Sequence, residues 1–254
     1  MQPHPWSHPK AEKFQRQQTF LTHAVTSHPS LGYNELAQMD MEVATDFLWN
    51  ESRLDIYRSD YYARLLDIAK ESVLEGLFVR YPEIAEDLLR SFLMHVPHTY
   101  GKIEAIFEDL PRYCSLLEPE PHSFIDDCKC LLAYYKILHY SQDHEIKPEQ
   151  RHSPSLNQLT LRSNVLVCIP ENSQSDLYSL LQAPETPNST RRGVLACMIT
   201  PTEPMLMSID AAFFPMMRCL KQGGHLHDAV MTLSEDTPPD DLTLFVRDLS
   251  RFME

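Results

Sequence analysis

Apolar residues recur along the first half of the chain at intervals of three and four. Phe14, Leu21 and Val25, with Phe20 and Ala24 alongside, predict a helix over about 10–27, closed by His28-Pro29-Ser30-Leu31-Gly32. Between Ser52 and Val79 the positions Leu54, Tyr57, Tyr61, Leu65 and Ile68 keep the same period, and Ser52 can cap a long helix there. Pro82 suits a first helical turn, and Ile84, Leu88 and Phe92 carry the pattern on to Pro97. A further helix follows, and Phe124, Cys128, Leu131, Tyr135 and Leu138 mark another at about 122–141.

The second half reads differently. Asn164–Ile169, Gly193–Ile199 and Met205–Ile209 are short apolar runs bounded by Pro and Gly, which predicts strands. Thr200-Pro201-Thr202-Glu203-Pro204 is a turn of hairpin length, and 173–182 has the pattern of a short helix. Three helical segments end the chain: 211–222, stopped by Gly223-Gly224; 225–233; and 240–253, where Leu242, Phe245, Leu249 and Phe252 form a stripe. The expected fold class is α+β, an N-terminal helical domain followed by a small winged-helix-like domain with a three-stranded sheet. The expected boundaries are an irregular tail at 1–9, a helical domain at 10–142, a linker at 143–158 and the sheet-bearing domain at 159–254.

Charge narrows the partners. The chain carries a formal −14, split as −9 over residues 1–154 and −5 over 155–254. An acidic balance in both halves argues against a nucleic-acid binder, whose affinity rests on neutralising phosphates. Six cysteines, Cys114, Cys128, Cys130, Cys168, Cys197 and Cys219, lie scattered in apolar runs. With no basic-then-apolar leader and no run long enough to span a bilayer, the expectation is a soluble protein of the reducing cytoplasm.

The sequence has no P-loop, no GxGxxG, no GxSxG and no HExxH, and six glycines leave little material for phosphate-cradling loops. His95 with His98, Cys128 with Cys130, and His225 with His227 bring potential metal ligands close in sequence. Pro97 breaks the helix between the first two, and the two thiols point to different sides of a helix, as buried structural groups do. The last two histidines decorate a helix start. Tyr57 and Tyr61 read first as a core stripe, while Arg53, Arg58, Tyr62 and Arg64 supply the Tyr and Arg anchors of an interface on the other face.

Arg53-Leu54-Asp55-Ile56-Tyr57-Arg58-Ser59-Asp60-Tyr61, followed by Ala63-Arg64-Leu65-Leu66, resembles the N-terminal domain of the HvfC/MbnC-type family. Phe92–His98, Phe107-Glu108-Asp109-Leu110-Pro111 and Ile125–Tyr134 resemble its later segments, and residues 191–220 resemble its hairpin and following helix. The resemblance implies a non-catalytic partner of a TIM-barrel multinuclear non-haem iron oxidase. Such a pair modifies cysteines of a ribosomally made precursor peptide, as in methanobactin-like natural products. It further implies a heterodimer, with iron in the oxidase subunit and no cofactor in this chain. Leader capture is then expected by strand addition at Met205, Leu206, Met207 and Ser208, facing Leu242, Phe245 and Leu249. The oxidase interface is expected at Arg53, Arg58, Tyr62 and Arg64. The competing reading is a winged-helix-type DNA-binding regulator, opposed by the −5 of that domain. A free-standing metalloenzyme built on the histidines is a third.

Overall fold

A computed structural model of the chain describes residues 15–20, 51–96, 103–140, 159–185, 190–200, 203–234 and 237–253. The expected tail, the turn at 28–32, the linker at 143–158 and the hairpin tip at 201–202 lie outside the described residues, as do the side chains of Ser52 and Arg53. Residues 15–20 are helical, within the first predicted helix.

The described elements run in chain order as α1 (Glu51–Ile68), a π-helical turn (Ala69–Val73), α2 (Glu75–Arg80), α3 (Ala85–His95), α4 (Ile103–Phe107), α5 (Leu110–Cys114) and α6 (His122–Tyr140). Then come β1 (Leu166–Cys168), α7 (Leu177–Gln182), β2 (Arg192–Thr200), β3 (Glu203–Asp210), α8 (Phe214–Lys221), α9 (Leu226–Val230) and α10 (Pro239–Leu249). The helical N-terminal part and sheet-containing C-terminal region expected from the sequence are both present.

The chain forms two compact units, Met1–Ser72 with Glu83–Asp109, and Val73–Pro82 with Leu110–Glu254. The cut differs from the one expected at 143–158, because α2, α5 and α6 belong to the sheet-bearing unit. In α6 the residues Phe124, Ile125, Asp126, Asp127, Cys128, Cys130, Leu131 and Leu132 are all buried, and only Lys129 among them is exposed. Nearly continuous burial of this kind places the middle of a helix inside a core rather than at its margin.

In the first unit the buried face of α1 is Arg58, Leu65 and Leu66, continued by Ala69, with Tyr62 half-buried between them. The expected stripe through Tyr57 and Tyr61 is therefore displaced around the helix: Tyr57 is 49% exposed and Tyr61 half-buried. Both stripes share Leu65, and Tyr and Arg carry long apolar stems, so periodicity alone separates the two faces poorly. α3 contributes Ala85, Leu89, Phe92 and Leu93 to this core, and the Phe92 and Phe107 rings lie 6.5 Å apart.

In the second unit the sheet is antiparallel with order β1-β2-β3. Val167 pairs with Leu195, and Leu195 in turn with Met207. At Gly193 of β2 a Cβ would sit 2.7 Å from the Cys168 carbonyl oxygen of β1, so no side chain fits there. On one sheet face Leu195, Cys197 and Ile209 join Phe213, Met217, Leu220, Leu226, Phe245 and Leu249 of the C-terminal helices in a single core. The intervening Val194, Ala196 and Met198 point the other way and are also buried, on the face that α6 and α7 contact. Burial on both faces explains why β2 reads as an unbroken apolar run. Gly223 follows the Gln222 C-cap of α8, and its φ of +86° suits glycine.

Candidate functional site

β3 is bonded to β2 on one side, and among the described residues its other edge has no strand beside it. Met205, Leu206, Met207 and Ser208 are each half-buried, while Ile209 is fully buried. Strand alternation sorts them. Met205 and Met207 pack against the C-terminal core, together with Leu242, whereas Leu206 and Ser208 project to the opposite face. Among the described residues the buried Ser208 Oγ has no hydrogen-bond partner.

The expected groove residues thus divide. Phe245 and Leu249 are core, 7% and 0% exposed, and the Phe245 ring stacks on Phe213 with centroids 4.0 Å apart. Leu242 remains half-buried at the margin of that core. Of the expected interface residues, Arg58 is 6% exposed, Tyr62 half-buried and Arg64 exposed. Burial lowers the Arg58 pKa and raises that of Tyr62, and each charge partly offsets the effect on the other.

A polar network that periodicity did not reveal fixes the second unit. Arg80 Nη1 donates to Asp127 Oδ2 at 2.9 Å and to the Asp176 carbonyl at 3.1 Å, while Nη2 donates to Ser179 Oγ at 2.9 Å. Tyr81 Oη also donates to Asp127 Oδ2, at 2.8 Å. Asp176 caps α7 by accepting from the Ser179 N–H and pairs with Arg192. Asp126 Oδ2 accepts from the Glu171 and Asn172 N–H groups and from Ser173 Oγ. Two adjacent aspartates inside an apolar helix are the sequence signal for this network, since buried carboxylates require partners.

Burial pushes the Cys114 thiol up to about 12 and raises Cys128 and Cys197. Cys130 is raised first by its hydrogen bond with Cys168 and then by burial. These groups stay protonated thiols near neutral pH. Among the described residues, no three His, Cys, Asp or Glu side chains come together as a metal site. His98 lies outside the described residues. Among the described residues, no helix is long and apolar enough to cross a membrane. No protein-family model and no curated protein matches the chain.

Proposed function

We propose that the chain is a non-catalytic partner subunit of a multinuclear iron oxidase, and that it binds a precursor peptide and presents its cysteines for oxidative modification. The observation that carries the peptide half of this reading is the edge of β3 that has no strand beside it among the described residues, a row of main-chain donors and acceptors flanked by half-buried Met205 to Ser208. The oxidase half rests on the resemblance of the segment from Arg53 to Tyr61 to the HvfC/MbnC-type family.

On this reading an extended leader adds as a fourth strand beside β3. Its backbone bonds supply affinity, and alternate side chains meet Leu206 and Ser208 on one face and the margin near Leu242 on the other. Iron and oxygen chemistry belong to the oxidase subunit.

The test is Leu206→Pro, assayed for precursor binding and for co-purification with the oxidase. Loss of precursor affinity with the heterodimer intact is expected, because proline cannot donate from that edge. Hydrogen exchange across 203–210 should slow when precursor is added to the unaltered protein. Unchanged affinity in the variant, with no added protection of β3, rejects the assignment.

A further inference from the structure

Cations from three parts of the second unit lie near the segment that follows β1. Lys129 on α6 pairs with Glu171 at 3.0 Å. Arg191, just before β2, donates from Nη2 to the carbonyl oxygens of Pro170 and Glu171 at 2.6 and 3.3 Å. Its guanidinium lies 5.3 Å from the centroid of the Phe214 ring. Phe214 opens α8, and Arg218 and Lys221 follow at i+4 and i+7 on the same face, both exposed.

Glu171 is the exposed carboxylate these cations share. Its pKa is held below the usual range, first by the Lys129 hydrogen bond and further by the charges of Lys129, Lys221 and Arg218. The neighbouring Asp126 is 5% exposed and engaged with the loop at 171–173. The helix dipole favours cations in the last turn of α8, but it does not account for their charges acting on Glu171 together with that of Lys129. Positive charge is therefore concentrated on one surface of a chain whose net charge is −14.

We propose that this surface docks a short acidic peptide segment of a binding partner, whose carboxylates pair with Lys129, Arg218 and Lys221 in place of Glu171. The group already held there is a carboxylate, which sets the ligand class. Arg191 is fixed by its own carbonyl contacts, so its charge is in place before binding. A long polyanion such as nucleic acid is also disfavoured by the net −5 of residues 155–254. The proposal is independent of the reading of β3.

The experiment measures fluorescence anisotropy of a labelled peptide of alternating glutamate and alanine, titrated with the full chain at low salt. Binding that weakens with added salt is expected. Arg218→Glu with Lys221→Glu should weaken it roughly tenfold, and Glu171→Gln should tighten it about twofold. Arg247→Glu, a reversal at an exposed position of α10, should leave it unchanged. Circular dichroism checks that each variant is folded, and Lys129→Gln replaces the double reversal if that protein is not. No binding, binding indifferent to these substitutions, or stronger competition by a single-stranded oligonucleotide overturns the proposal.

Discussion

Arg80 and Asp127 form a 2.9 Å ion pair whose side chains are 8% and 0% exposed. Removing one member strands the other's charge in the interior, so Arg80→Met should cost about 3–5 kcal/mol of stability. The double variant Arg80→Met with Asp127→Leu should recover part of that loss, because no lone charge then remains buried. Denaturant unfolding of the three proteins gives the comparison, and equal losses in single and double variants would contradict the assigned coupling.

Gly193 leaves no room for a side chain beside the Cys168 carbonyl. Gly193→Ala should force β1 and β2 apart and destabilise the protein by about 1–3 kcal/mol. Gly223→Ala strains a positive φ instead, with open space around it, and should cost on the order of 1 kcal/mol. Thermal unfolding distinguishes the two.

Local pattern carried the elements well. The strands at 166–168, 192–200 and 203–210 and the helices after them lie where runs and breakers placed them, because Pro and Gly punctuate that half of the chain. Tertiary contacts, not local pattern, decide how the elements group. The stripe read on α6 was one-sided, yet the helix is buried nearly all round at its middle, and only the pair Asp126-Asp127 hinted at the loop it binds. The edge position of β3 was expected from the resemblance, whereas the division of Met205 and Met207 from Leu206 and Ser208 needed the core that surrounds them. The cations around Glu171 come from positions 129, 191, 218 and 221, and only tertiary structure brings them together.

Arg58 and Arg64 should respond differently to charge reversal. Arg58 is 6% exposed, so Arg58→Glu should lower stability by about 1–3 kcal/mol. Arg64 is exposed, and Arg64→Glu should leave the melting temperature nearly unchanged. An oxidase interface on α1 then requires that Arg64→Glu alone weaken the heterodimer, more at low salt than at high.

Phe245 and Leu242 separate packing from peptide contact on α10. Phe245→Ala opens a cavity beneath the stacked Phe213 ring and should cost about 3–5 kcal/mol. Leu242→Ser, at the half-buried margin, should cost less while reducing precursor affinity if the leader lies against that side of β3. Precursor titration and denaturant unfolding of both variants make the comparison.

Glu86 bridges Lys70 at 2.6 Å and Arg90 at 2.7 Å, and these hydrogen bonds, that of Lys70 first, lower its pKa. A carboxyl whose pKa is depressed on folding contributes stability above its unfolded pKa and loses it as pH falls through the folded value. An NMR titration should therefore place the Glu86 midpoint below that of an ordinary glutamate, and Lys70→Met should move it upward. High salt should shrink the difference, because the site is open to solvent. A midpoint insensitive to Lys70→Met would show that the ion pair does not set the titration.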